Sequence, residues 1–471
     1  MMTPRSRQLV VSLIVACAMF MQNLDSTIIA TALPAIGNSL GESPLRLNVA
    51  ITCYLLSLAV FIPISGWTAD RFGARRVFTG AIVVFTLGSI ACGFAQSLWM
   101  LVLARIVQGM GGAMMVPVGR LVLLRTVPKS ELVRAMSYVS VPALIGPVIG
   151  PPLGGFIVTY ASWHWIFFIN IPIGMLGVLL VNLFVENMRE ATVRPFDLPG
   201  FVLTAVGLAS MAFGFETIGR GALPMIANIG LLAGGALCLV VYVRHAQRVD
   251  HPIIDLALMR IPTYAMATTG GFLFRMGLGA LPFLMPLMLQ VGFGLDALSS
   301  GLITFASAAG AMSNKAVVAP IIRAFGFRNV LIANTIVSSA FLFGYSFFRP
   351  ATPHYVIFLA LLAGGFFRSL QMTSLNTLSY ADVPAGMLSR ATSLTSMAQQ
   401  LSQSVGVGTG ALILYVMLAT NGAGVSSAAD FSVALATVAG ISLLSVPFFL
   451  RMSPDAGAQV SGRAAPRVSA D

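Results

Sequence analysis

The sequence predicts an all-α integral membrane protein with about fourteen transmembrane helices. They form two six-helix halves plus two extra helices, with both termini cytoplasmic. Three observations lead there. Of 471 residues, 57% are hydrophobic and only 9% charged, with a mean hydropathy of +0.90. Soluble proteins carry about 25% charged residues, so no soluble core hides this much apolar surface. Apolar runs of spanning length follow one another almost without pause, and short stretches of the first half recur in the second at nearly constant offset.

A spanning helix needs about 20 apolar residues. Runs that meet this centre near residues 20, 57, 87, 112, 148, 174, 209, 233, 276, 310, 338, 365, 405 and 440. The first, from Leu9 to Ile36, follows MMTPRSRQ and imitates a signal peptide. It is too long for one and reads as a retained first helix. With the N-terminus inside, the cytoplasmic connections receive Arg71, Arg75 and Arg76, then Arg125, Lys129 and Arg134, then Arg189 and Arg194. Arg244, Arg248, Arg260, Arg323, Arg328, Arg390, Arg451, Arg463 and Arg467 follow, whereas the outer connections receive only Arg46, Arg220 and Arg349. Such asymmetry implies an even number of spans. The expected division is an N-terminal half at 1–186, a two-helix insertion at 187–250, a C-terminal half at 251–452 and a cytoplasmic tail at 453–471.

The repeats support two parallel halves. VPKSELVRAMS from Val127 recurs as VPAGMLSRATS from Val383, an offset of 256. DRFGARRVF from Asp70 recurs as RAFGFRNVL from Arg323, and TALP ending at Pro34 is echoed by GALP ending at Pro282. In transporters built this way the substrate site lies near the midplane, between the repeats.

Composition also excludes several functions. The net charge of +12 comes from loop arginines and only two lysines, Lys129 and Lys315, which is orientation information and not a nucleic-acid footprint. Cys17, Cys53, Cys92 and Cys238 stand alone in apolar runs, and the four histidines are scattered, so neither disulfides nor a metal or other cofactor is expected. No HExxH, GxSxG or Walker A pattern is present, which argues against a membrane enzyme or an ATP-driven pump.

The residues that carry chemistry centre on LVLARIVQGMGGAMMVPVGR, from Leu101 to Arg120. An arginine in a membrane helix costs roughly 2.5–3.5 kcal/mol on insertion scales and so faces a cavity or a partner. Arg105 is such a residue, and Gly109, Gly111 and Gly112 allow a neighbouring helix to approach closely. Asp25 in the first helix lies about 24 Å from the inner face and Arg105 roughly 9 Å from the outer one, so the two share a depth. A carboxylate that gains or loses a proton beside a fixed cation is a minimal proton switch; the alternative is a pair that only joins two helices. GPVIGPPLGG, with Gly146, Pro147, Gly150, Pro151, Gly154 and Gly155, places a specialised bend or tight seam in the fifth helix. Asp70 ends the second helix in GWTADRFGARR, where a carboxylate opposes the helix dipole. With Gly73 between them, Arg71, Arg75 and, from the fourth helix, Arg120 are candidate partners in a cytoplasmic latch, or plain topology-setting charges.

In the second half Arg275 and Arg368 lie deep, Lys315 lies in the inner third, and no acidic residue there is equally buried in the membrane. These cations attract an anionic or metal-chelate substrate, or one of them pairs with Asp25 across the cavity. Gln22, Asn23, Gln371, Asn376, Gln399 and Gln400 line the pore or bond neighbouring helices.

On these motifs the chain resembles the major facilitator superfamily, and within it the fourteen-helix drug/proton antiporter branch typified by the EmrB and QacA efflux proteins. The resemblance covers nearly the whole chain. DSTIIATALP from Asp25 is similar to that branch's first-helix signature, Gly66 to Arg76 to its loop between helices two and three, and WHWIFFINIPIG from Trp163 is typical of it. Leu101 to Gly112 resembles the fourth-helix motif whose arginine is implicated in proton coupling, and Gly146 to Gly155 the antiporter signature of the fifth helix. The resemblance implies a non-enzymatic, multi-pass protein of a bacterial cytoplasmic (inner) membrane, acting as a monomer in the lipid bilayer. It would export small-molecule substrates, such as drugs or toxic metabolites, in exchange for protons. Arg275, Lys315 and Arg368 depart from what lipophilic cations require and point to anionic metabolites or metal chelates. A facilitator or importer of the same superfamily, or a non-transporting sensor, are the other readings.

Overall fold

The structure is a computed structural model, which describes residues 4–42, 44–188, 195–220, 223–421 and 428–461. Arg189, Arg194, Arg463 and Arg467 lie outside the described residues, as do the side chains of Pro147, Pro151, Arg46 and Arg220.

The described chain is helical throughout, as a bilayer without water to satisfy backbone groups requires. The long helices of the first part are α1 (Pro4–Leu40), α2 (Val49–Phe72), α3 (Ala74–Gly93), α4 (Leu98–Thr126), α5 (Leu132–Tyr160) and α6 (Trp165–Phe184). Next come α7 (Leu198–Arg220) and α8 (Met225–Ala246). The last part holds α9 (Pro262–Gly292), α10 (Ala297–Ser313), α11 (Phe327–Phe347), α12 (His354–Leu378), α13 (Leu388–Asn421) and α14 (Ala428–Leu450). Each centre expected from the apolar runs falls inside one of these helices. Among the described residues, twelve helices are long and apolar enough to cross a membrane. A thirteenth is added when Ser299–Ser313 and Val318–Phe325, bent by 59°, count as one span.

Pairing follows one pattern twice. In the first part α1 packs on α4, α5 and α6, α4 on α2 and α3, and α3 on α6. In the last part α9 packs on α12, α13 and α14, α12 on α10 and α11, and α11 on α14. The sequence repeats carry matching backbone. Pro128 (φ −59°, ψ 148°) and Pro384 (φ −60°, ψ 147°) each cap a 3₁₀ turn that leads into a helix at Leu132 or Leu388. Gly73 and Gly326, 253 residues apart, both turn a helix corner at positive φ, 92° and 74°. That region favours glycine, and a Cβ on Gly73 would also collide with the Asn187 amide.

The pair α7–α8 attaches through α7, which packs on both α2 and α13 and so covers the seam between the two sets. Thr52 of α2 donates a hydrogen bond to Glu216 of α7 at 3.2 Å.

Candidate functional site

Two polar features occupy the interior. The first is a charge knot inside the first six helices. Nη1 of Arg105 donates to Oδ2 of Asp25 at 2.6 Å and to Oε1 of Gln108 at 2.6 Å. Gln108 donates to Oδ1 of Asp25 and to Ser89, both at 2.7 Å, and Asn170 donates to Asp25 at 3.3 Å and to Ser89 at 2.9 Å. The guanidinium lies 4.1 Å above the Tyr54 ring, so its second face meets an aromatic quadrupole. Both charged side chains are 0% exposed. Glycines make this possible. A Cβ on Gly88 would come 2.6 Å from Cα of Gln108, and one on Gly109 2.6 Å from Cβ of Ser57, so α4 presses on both α3 and α2.

The second feature is a cavity of about 750 Å³ between the two helix sets, within the size range of small-molecule sites. It is lined from α1, α2, α4 and α5 on one side and from α9, α10, α12 and α13 on the other, with α7 at the seam. Among the described residues four cations line it, Arg120, Arg275, Lys315 and Arg368, against one carboxylate, Glu216. Neutral groups hold most of the cations. Arg275 donates to Oδ1 of Asn376 at 3.0 Å, and that oxygen also accepts from Gln399 at 2.8 Å. Gln399 accepts from Arg120 at 3.2 Å, Arg120 donates further to the Tyr380 hydroxyl at 3.1 Å, and Lys315 donates to Thr373 at 2.9 Å. No described residue hydrogen-bonds or ion-pairs with the Arg368 guanidinium. Asn23 and Leu55 face the cavity while Asp25 and Tyr54 face the knot, so α1 and α2 form the wall between them.

One end of the cavity is closed by contacts between the two sets. Ser65 and Ser393 meet at 2.8 Å, Ser389 donates to Asp70 at 2.5 Å, and Lys129 donates to the Ala381 carbonyl at 2.8 Å. A Cβ on Gly66 would lie 2.7 Å from Oγ of Ser393. At the same end Arg390 pairs with Asp255, and the His245 ring is hydrogen-bonded to Asp197 at 2.8 Å.

The expected site residues divide as follows. Asp25 and Arg105 meet, but away from the cavity, so Asp25 has no cross-cavity partner among Arg275, Lys315 and Arg368. Asn23, Arg275 and Arg368 reach the cavity; Gln22 is not among its lining residues. Gln371 is turned away: it is fully buried and bonds Asn334 and Thr335 on α11. Asp70 meets Arg125 at 3.4 Å and Ser389, while Arg120 lines the cavity instead of reaching it. Arg71 lies over the Trp67 and Phe72 rings, and Arg75 is half-buried beside Gly73. Gly146, Gly150 and Gly154 form a stripe against α1. A Cβ on Gly146 would lie 2.9 Å from the Leu24 nitrogen, and Cβ atoms on the other two would collide with Thr27 and Thr31. Gly155 faces open space. Glu216, Tyr380, Ser389 and, as the partner of Asp70, Arg125 are functional candidates that the sequence reading passed over, as are Tyr54, Ser89 and Asn170 around the charge knot. For Glu216 the available signal was a lone acid in an apolar run, in a chain with 15 acidic residues against 27 basic ones.

The family model described as Major Facilitator Superfamily matches residues 15–407. The chain is 42% identical over 401 residues to the "Putative multidrug resistance protein MdtD" of Salmonella heidelberg (strain SL476), covering 85% of each, and equally to that of Salmonella typhi. Its fold is similar to that of the human organic anion transporter MFSD10 (TM-score 0.68, 14% identity, 94% of this chain and 99% of that one). It is also similar to the proton:xylose symporter XylE (TM-score 0.68, 13% identity, 97% and 98%).

Proposed function

The chain belongs to the major facilitator superfamily of membrane transporters, and from that premise we propose that it is an EmrB-type proton-coupled efflux antiporter. It exports small compounds, drugs or toxic metabolites, across a bacterial inner membrane by alternating access. The observation that carries this reading is the cavity: of ligand size, lined from both helix sets, closed at one end, and one helix wall from a buried carboxylate–guanidinium pair.

The long helix α5, with the twelve candidates and the bent pair, brings the spans to fourteen. An even count with arginine-rich connections on one side leaves both termini cytoplasmic. The closed end is then the cytoplasmic one, and the state is outward-facing. The repeated pairing supports six-helix halves at 1–186 and 251–452, with the insertion at 187–250 between them. Asp25 takes and releases the coupled proton against the fixed charge of Arg105. Asp70, with Arg125 and Ser389, is the cytoplasmic latch, and the glycine stripe of Gly146, Gly150 and Gly154 is the seam along which α1 shifts. Both halves of the site lie in one chain, which supports a monomeric unit. A second reading of the cargo, as anionic metabolites or metal chelates, is favoured by the four cations of the cavity. Per proton, about 100 mV of membrane potential supplies roughly 2.3 kcal/mol.

The test is flux in proteoliposomes with an imposed pH gradient and a panel of cationic, neutral and anionic compounds. Antiport gives uphill substrate movement with protons travelling the opposite way. Protons travelling with the substrate, or flux indifferent to the gradient, would sink the proposal in favour of an importer or facilitator.

A further inference from the structure

We propose that Glu216 is a substrate-site carboxylate contributed by the two-helix insertion, and that the cavity takes zwitterions, with an amine at Glu216 and an acidic group at Arg275 and Arg368. The inference rests on the proton-antiport reading above.

The first argument is position. Glu216 lies four residues before the end of α7 that is remote from Asp197, about 6 Å along the helix. Asp197 is at the closed end, where it accepts from the Ile253 amide beside the Asp255–Arg390 pair. Glu216 therefore stands toward the opposite mouth of the cavity. Arg275 and Arg368 stand thirteen and fourteen residues into α9 and α12, about 20 Å along each helix and hence at mid-depth. One cavity thus presents a carboxylate nearer one end and, at mid-depth, two guanidinium groups that are held by no described carboxylate, together with apolar lining residues such as Leu55, Leu278 and Met372.

The second argument is the sign of coupling. Proton and substrate must compete for exchange in opposite directions, and linkage makes their mutual effect reciprocal. In this state Asp25, which carries the coupled proton in the reading above, is sealed behind α1 and α2, so among the described residues the carboxylate at which substrate and proton can meet in the cavity is Glu216. Among the described residues, the groups that face it from the helices packed on α7 include Thr52 and Cys53 of α2, and α13 adds neutral Gln400, Gln403 and Ser404 to the same cavity. The basic residues of α8, Arg244 and His245, lie in its last turn at the closed end. Across the cavity stand the four cations. A proton on Glu216 makes this cationic cavity more positive, which strengthens its hold on a purely anionic substrate and gives co-transport. A substrate that places an ammonium at Glu216 is displaced by the proton instead, and that is antiport.

The test uses full-length purified protein and three probes: 4′-(aminomethyl)biphenyl-4-carboxylic acid, its methyl ester and its N-acetyl derivative. Wild type should bind the parent compound about tenfold tighter than either derivative, with binding of the parent weakened by acid. Glu216→Gln should lower the parent to the level of the N-acetyl compound and abolish the acid effect; Arg368→Gln should lower it to the level of the ester. Thr52→Val, which removes the hydroxyl held by Glu216 without touching a charge, should give an intermediate loss. Equal binding of the three probes by wild type, or an unchanged parent-to-N-acetyl ratio in both Glu216→Gln and Thr52→Val, overturns the proposal. Counterflow of protons with the parent probe in proteoliposomes separates the two failures. If wild type shows counterflow but the ratio is unchanged in the variants, only Glu216 falls. If wild type shows none, the antiport reading falls with it.

Discussion

Asp25 and Arg105 hold opposite charges at 2.6 Å with neither side chain reaching solvent. Removing one partner of a buried pair costs about 3–5 kcal/mol, chiefly because the other charge is stranded. Asp25→Asn should therefore lower thermal stability in detergent and abolish proton counterflow, while the protein still inserts. Adding Arg105→Gln removes the stranded cation. The double variant should recover much of the melting temperature and none of the coupling, which separates the structural share of the pair from its role in transport. Wild-type coupling in Asp25→Asn would remove this carboxylate from the mechanism. At this scale the sequence is informative about depth and uninformative about direction. Asp25 and Arg105 were legible as partners because helix rise alone puts them level. Gln371 was not legible, because a residue at the right depth on α12 can face the cavity or α11, and only packing fixes that rotation. Arg120 is one of three candidate partners that the sequence offers Asp70, because both sit toward one end of their helices; lateral distance decides the pairing, and it is Arg125 that meets Asp70.

The helices themselves were the most legible feature, since a bilayer demands about 20 apolar residues per crossing and tolerates few other structures. The placing of the α7–α8 pair was the least, because nothing in the composition of α7 says that it lies between α2 and α13 and brings Glu216 to the cavity. The fifth helix offers a test of element packing. A Cβ on Gly154 would collide with Thr31 and lie 2.9 Å from the Ile28 carbonyl, whereas one on the adjacent Gly155 meets nothing within 4 Å. Overpacking costs typically 1–3 kcal/mol where backbone must give way. Gly154→Ala should thus separate α1 from α5, lower the melting temperature and slow transport, while Gly155→Ala leaves both unchanged. If the two variants behaved alike, the stripe would have no special part in seating α1.

For the whole molecule, the proposed alternating access would require that the closed end open once per cycle. The closure is polar and small in scale: Ser65 on Ser393, Asp70 on Ser389, Lys129 on the Ala381 carbonyl. Hydrogen bonds of this kind contribute about 0.5–1.5 kcal/mol net between neutral groups and about 1.5–3 kcal/mol where one group is charged. A few of them bias one state without making it permanent, as a switch between states separated by a few kcal/mol needs. The Ser65–Ser393 contact allows that motion to be stopped. Its oxygens are 2.8 Å apart and belong to different helix sets. In a background with the four native cysteines replaced by alanine, Ser65→Cys with Ser393→Cys should form a disulfide under mild oxidation. The oxidised protein should still admit ligand from the open mouth but carry out no turnover, and a reductant should restore flux. Either single variant, oxidised in the same way, should transport normally. Full turnover by the cross-linked protein would mean that this end does not part during the cycle, and the rocking of two helix sets about the cavity would have to be abandoned.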